Sequence, residues 1–151
     1  MLEMRGGQRD VSKAKVLLES ALADGDARAA YALGSWCIDG DRLPRDLERA
    51  RALFSIAAEA KIGYALFDLA IMTEKGEGGV RDLRKAFELY VDAALHGDTQ
   101  SVFEVGRCYR YGIGIAEDHA LAEIWRDRAE ELGVYDPEDD EDNEIDTRDE
   151  V

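Results

Sequence analysis

Moved along itself by 36 residues, the sequence meets the same landmarks again. Gly40, Gly76 and Gly112 coincide, and six residues on so do Asp46, Asp82 and Asp118. Ala50, Ala86 and Ala122 come next, then Ala57, Ala93 and Ala129, while Tyr31, Phe67 and Phe103 align upstream. One further period back, Asp10, Ala14, Leu17 and Ala21 match Asp46, Ala50, Leu53 and Ala57. A fixed period of this length, held without a gap, is the mark of a solenoid, whose units bury their apolar faces by stacking. The 151 residues hold three full units preceded by half of another.

Each unit divides in two. Apolar residues at three- and four-residue spacing predict first helices over Ala27–Asp39, Lys61–Lys75 and Asp98–Tyr111. The second set covers Asp46–Ala60, Asp82–Leu95 and Asp118–Leu132, with Asp10–Ala23 as the unpaired copy. Asp10, Asp46, Asp82 and Asp118 are placed to cap or open these helices, where a carboxylate meets orphaned backbone N–H groups. Gly25, Gly97 and Gly133 punctuate the far ends, and Asp26 and Asp98 open the next helices. The fold expected is all-α: a solenoid of antiparallel helix pairs, about seven helices in all. Small residues set the packing, with alanines two turns apart on each second helix and Gly34, Ala70 and Gly106 on the first. Leu53, Phe54, Leu89, Tyr90 and Trp125 fill the space between. A bulky residue at Gly106 is expected to cost on the order of 1–3 kcal/mol.

At these residues the sequence resembles a known family. Tyr31–Ala60, "YALGSWCIDGDRLPRDLERARALFSIAAEA", is similar to a Sel-one-like repeat: a leucine–glycine pair, a glycine-x-glycine loop, an aspartate, then an alanine–aromatic–alanine–alanine helix. Gly76-x-Gly78 and Gly112-x-Gly114 repeat the loop, whereas Arg42 replaces its second glycine in the first unit and Ala70 the glycine after Leu69. The tetratricopeptide repeat is the near relative, but its 34-residue period fits less well. The resemblance covers about residues 10–133. It implies an α-solenoid that binds protein partners, as adaptors and scaffolds do, with no shared catalytic residues. Short bacterial members also serve as immunity proteins, so the alternative implied is neutralisation of a co-encoded basic toxin.

In a curved stack the first helices are expected to line the concave wall, by analogy with tetratricopeptide arrays. That places Arg28 and Tyr31 in the first unit, Tyr64, Phe67, Ile71 and Lys75 in the second, and Phe103, Arg107, Arg110 and Tyr111 in the third as candidate partner-binding residues. Tyr31, Phe67 and Phe103 form an aromatic column that reads first as inter-helix core, part of the repeat pattern, and second as a stack of binding anchors. Arg107, Arg110 and Tyr111 form a corner suited to an acidic or carboxylate-bearing segment of a partner.

Other chemistries find little support. His96 and His119 have no nucleophile at a useful spacing, so no enzyme is expected. Cys37 and Cys108 lie nearly two units apart and read as core thiols. The glycine loops come after no strand and precede no lysine–threonine pair, so they read as turns between helices. No metal or cofactor is implied. With 34 acidic against 19 basic residues the formal charge is −15, which disfavours nucleic acid and anionic lipid as partners. No apolar run is long enough for a membrane span and no leader is evident, so a cytoplasmic monomer or weak dimer is expected. The chain divides into two regions: the solenoid over 1–134 and an acidic disordered tail over 135–151, with ten acidic residues from Asp136 onward and only Arg148 opposing. The alternation Asp140, Asp142, Glu144 lacks the glycine of a calcium loop. A tail of this charge would steer a basic partner toward the solenoid.

Overall fold

The computed structural model describes residues 3–136, with side chains from Gly7 onward. Seven helices succeed one another: α1 Glu3–Ala23, α2 Ala27–Asp39, α3 Leu47–Glu59, α4 Gly63–Lys75, α5 Leu83–Leu95, α6 Thr99–Tyr111 and α7 His119–Glu131. The described residues contain no strand. Helices α2 and α3, α4 and α5, and α6 and α7 pair most extensively; α3 then packs on α4 and α5 on α6, so the units stack in chain order.

The landmark residues make each unit by the same local chemistry. Gly40, Gly76 and Gly112 end their helices in the left-handed conformation, their N–H groups bonding back to the carbonyls of Trp36, Met72 and Cys108. Asp46, Asp82 and Asp118 are extended N-caps whose carboxylates accept from the backbone of Arg49, Lys85 and Leu121. Between cap and cap the chain folds back on the helix it has left: Asp46 N–H donates to the Cys37 carbonyl, Asp82 to Thr73 and Asp118 to Tyr109, at 2.9, 3.1 and 2.8 Å. The second loop glycines carry the stacking. Gly78 rests on the Leu47 carbonyl and Gly114 on the Leu83 carbonyl, each at the start of the preceding unit's second helix. Arg42, at the matching position of the first unit, instead lays its guanidinium 5.3 Å from the Trp36 ring centroid.

The first helix corrects one expectation. The unpaired copy does not begin at Asp10; α1 runs from Glu3, and Asp10 lies inside it rather than capping it. The other three aspartates come after a loop that has just turned the chain around, whereas the residues before Asp10 hold no turn or proline to stop a helix. No described helix precedes α1, and Leu17 is 70% exposed, while its counterparts Leu53 and Leu89 are buried.

The core consists of the repeated small and apolar positions. Ala50, Ala57, Ala70, Ala86, Ala93 and Ala129 are fully buried, and Phe54 and Tyr90 nearly so. Cys37 and Cys108 are buried free thiols, as the sequence implied; burial pushes the Cys108 thiol up to about 12. The small first-helix residues are not equivalent. A Cβ at Gly34 would sit 2.7 Å from the Phe54 ring, which is itself stacked on Tyr31 with centroids 5.2 Å apart. A Cβ at Gly106 would meet its neighbours only at 3.4 Å, ordinary contact. Gly34→Ala is therefore expected to lose about 1–2 kcal/mol, overpacking outweighing the better helix former, while Gly106→Ala is neutral or slightly stabilising. Denaturant midpoints of the two variants against the parent chain check the order.

Candidate functional site

Helices α2, α4 and α6 carry all the candidate partner-binding residues, and their own side chains knit them into one wall. From α2, the Tyr31 hydroxyl donates to Asp68 of α4 at 2.7 Å, and its ring meets Tyr64 edge-on at 4.5 Å. Burial, reinforced by the Asp68 carboxylate, pushes the Tyr31 hydroxyl up to about 12; burial also raises the Asp68 carboxyl. Phe67 is half-buried against Tyr90, with centroids 6.1 Å apart. In the aromatic column Tyr31 and Phe67 are packed, while Phe103 borders an open cavity.

Between α4 and α6 the link is ionic. Glu74 receives Arg107 Nη2 on both oxygens at 2.8 and 2.7 Å, and the Tyr90 hydroxyl at 2.6 Å. Arg107 also donates Nε to Glu104 at 2.6 Å. Burial by itself would push the Glu74 carboxyl up, but the hydrogen bonds from Arg107 and Tyr90, with the charge of Arg107, hold it below its ordinary value. Burial and the Glu74 carboxylate raise the Tyr90 hydroxyl; its two carboxylate partners hold the Arg107 guanidinium up despite burial.

Arg107, Arg110 and Tyr111 do come together, as the sequence suggested, around a cavity of about 360 Å³ between α6 and α7. The Arg107 charge, however, is already met by two carboxylates. Arg110 stays exposed, its guanidinium 5.7 Å from the Tyr111 ring centroid, and Tyr111 is 66% exposed. Of the remaining wall residues, Arg28, Tyr64 and Lys75 face solvent and Ile71 is half-buried.

Sequence reasoning missed the other half of this cavity. Its far side is Ala122, Glu123 and Arg126 of α7, and Asp136 stands at its rim. The signal was present in the 36-residue register. Arg126 occupies the position of Phe54 and Tyr90, and Glu123 that of Arg51 and Phe87. In the inner units Phe54 and Tyr90 pack on the first helix of their own unit, against Tyr31 and Phe67, whereas Arg51 and Phe87 meet the next unit: Arg51 donates to the carbonyls of Glu77 and Val80, and Phe87 packs edge-on against Tyr109. In α7 the corresponding positions hold the charged Glu123 and Arg126. No described helix covers them, and the cavity is the space left.

The two histidines make local contacts. His96 ends α5, with Nδ1 2.7 Å from the Asp92 carbonyl, and His119 opens α7 beside Glu117. Among the described residues no group of His, Cys, Asp and Glu could hold a metal ion, and no helix is long and apolar enough to cross a membrane. The acidic stretch 137–151, including Asp140, Asp142 and Glu144, lies outside the described residues.

Comparison with known proteins agrees with this architecture. The Sel1 repeat family model matches four times in succession, over residues 3–26, 27–61, 63–98 and 99–134. A Sel1 repeat protein from Oxalobacter formigenes shares 31% identity and superposes with a TM-score of 0.71 over 78% of this chain and 89% of that one. The protective antigen c5321 of uropathogenic Escherichia coli, which displays an SLR fold, shares 27% identity with a TM-score of 0.74 over 77% of this chain. The match spans only 25% of that antigen. The cysteine rich protein B of Helicobacter pylori, at 21% identity and a TM-score of 0.63 over 83% of this chain and 90% of that one, shares the fold. No curated protein matches the sequence.

Proposed function

The chain belongs to the Sel1 repeat family, a protein-interaction fold, and we propose that it is a non-enzymatic adaptor gripping a protein partner along the wall of α2, α4 and α6. One observation carries this reading. The exposed residues Arg28, Tyr64, Lys75, Arg110 and Tyr111 stand on three helices already locked by Tyr31–Asp68 and Glu74–Arg107, so the surface is ordered before a partner arrives. A surface fixed in advance loses little conformational entropy on binding. Tyrosine and arginine are the residue types from which interface hot spots are most often built. Arg110 and Tyr111 suit an acidic segment of that partner.

The test compares the full chain with a Tyr64→Ala/Tyr111→Ala variant, each used to capture proteins from native lysate. Both tyrosines are solvent-exposed, and the lost Tyr31–Tyr64 ring contact should lower the circular dichroism melt only slightly, by about 1 kcal/mol or less, leaving the fold intact. A protein held by the parent chain should bind the variant at least about tenfold more weakly, from about 1–2 kcal/mol per anchor. Equal capture by the two chains would remove the wall from consideration. Two different proteins held at once would support an adaptor; a single stoichiometric partner would turn the reading toward one-to-one inhibition.

A further inference from the structure

We propose, resting on the wall reading above, that Asp68 and the rings of Tyr31 and Tyr64 form a subsite for a basic side chain, arginine or lysine, of the protein partner. Asp68 stands half-buried in α4, and its Oδ2 accepts from the Tyr31 hydroxyl. Among the described residues no lysine, arginine or histidine lies within ion-pair distance of it. Its other oxygen takes no hydrogen bond from those residues and still reaches solvent. Carboxylates withdrawn from water are ordinarily paired, because desolvation penalises a charge that has no counter-charge. The repeat register identifies what is lacking. One period on, the matching carboxylate is Glu104, and Arg107, one turn along the same helix, donates to it at 2.6 Å. The position answering to Arg107 is Ile71 in the middle unit, while the first unit has neither group, with Ala32 and Ser35 there. Of the three full units, the middle one alone holds the anion without the cation.

The surroundings suit an incoming cation. Burial raises the Asp68 carboxyl and the Tyr31 hydrogen bond restrains that rise; the charge that bears on it is Asp98, the N-cap of α6 and a second anion. Tyr64 precedes Asp68 by one helical turn, so the two share a face of α4. The Tyr31 and Tyr64 rings meet edge-on at 4.5 Å, and Tyr64 is 46% exposed, which leaves ring surface open beside the carboxylate. An arginine or lysine placed there gains a charge-assisted hydrogen bond and a cation–π contact together. A formal charge of −15 draws basic segments toward the chain from a distance. The free protein gives up stability to keep an unpaired anion here, as binding sites commonly do. Set beside Arg110 and Tyr111, the subsite gives the partner segment a direction: a basic residue over the middle of α4 and an acidic one at the end of α6.

The test uses small probes in place of the partner. Amide spectra of the full chain are followed as acetyl-arginine amide is added at constant ionic strength. Acetyl-lysine amide serves as a second cation and acetyl-citrulline amide as the neutral isostere. Both cations should produce saturable shifts at Tyr31, Tyr64 and Asp68, half-complete at about 10 mM, and the citrulline compound should produce none. Asp68→Asn should weaken the binding at least about tenfold. Ile71→Arg sets a guanidinium one turn from Asp68, as Arg107 is from Glu104, and should abolish the shifts by filling the subsite from within; circular dichroism checks that both variants fold. Equal shifts from the citrulline compound would overturn the proposal, as would unaltered binding by Asp68→Asn or the absence of saturable shifts at these three residues. Saturable binding together with unaltered partner capture by the tyrosine variant would keep the subsite and remove the wall. Capture lost in that variant, with no cation bound at Asp68, would keep the wall and remove the subsite.

Discussion

Gly114→Ala should unfold or loosen the last unit, lowering the melting temperature by about 10 °C or more. The alanine Cβ would fall inside the Leu83 carbonyl group and close to Arg84 Cα, both backbone, so no side chain can swing aside. The residue also sits at φ +70°, where a Cβ is strained without any neighbour. Left-handed strain of about 1–2 kcal/mol adds to about 1–3 kcal/mol of overpacking, a large share of the stability of an ordinary domain. Gly97→Ala separates the two contributions. Its φ is +89°, yet nothing lies within 4 Å of the added carbon, so it should lose only the strain. Differential scanning calorimetry of both variants checks this. Gly78→Ala, against the Leu47 carbonyl, should behave like Gly114→Ala; a drop no larger than that of Gly97→Ala would mean that the loop does not bear on the preceding unit.

Removing the Glu74 carboxylate has the second large effect. Glu74→Ala leaves the buried Tyr90 hydroxyl without its acceptor and strips Arg107 of one of its two carboxylates. Breaking a fully buried pair costs about 3–5 kcal/mol; solvent still reaches part of Glu74 and Arg107, so about 2–3 kcal/mol is expected here. The loss should depend on pH. Because the folded-state pKa of Glu74 is depressed, its contribution is complete above the ordinary glutamate value of 4.5 and disappears as pH falls through the lower folded value. Asp68 works in the opposite sense. Its pKa is raised, so its protonation favours the fold in acid, and the contribution is lost as pH rises through that raised value. Urea midpoints between pH 3 and pH 7 should show Glu74→Gln destabilised at neutral pH with a flatter acid limb. Asp68→Asn should shift the neutral midpoint upward. Parallel curves for Glu74→Gln and the parent chain would refute the ionic account of the α4–α6 link.

Most of the architecture was legible because it is written in local chemistry, three times over. A carboxylate capping a helix, a left-handed glycine ending one and a two-turn spacing of alanines each act within a few residues, and repetition in register separates them from accident. The ends of the array were less legible. Asp10 shares its spacing with the three true caps, but a cap also needs a turn before it, and the helix simply runs through it from Glu3. Arg107 could be placed on the wall from its position, yet its charge is consumed by Glu74, 33 residues away, and Tyr90 reaches the same carboxylate from another helix. The α7 side of the cavity was marked only by substitution within the register: Arg126 where Phe54 and Tyr90 stand.

By itself, the sequence determined the period, the seven described helices, the aspartate caps of the three full units and the all-α class, because hydrogen bonds to neighbouring backbone and the 3.6-residue turn operate at short range. Only the tertiary structure decided which charges are spent inside the wall and which face outward, where a glycine is compulsory, and where a cavity opens. Those outcomes depend on which atoms lie a few ångströms apart across different units, and burial and Coulomb energy track that distance rather than separation along the chain.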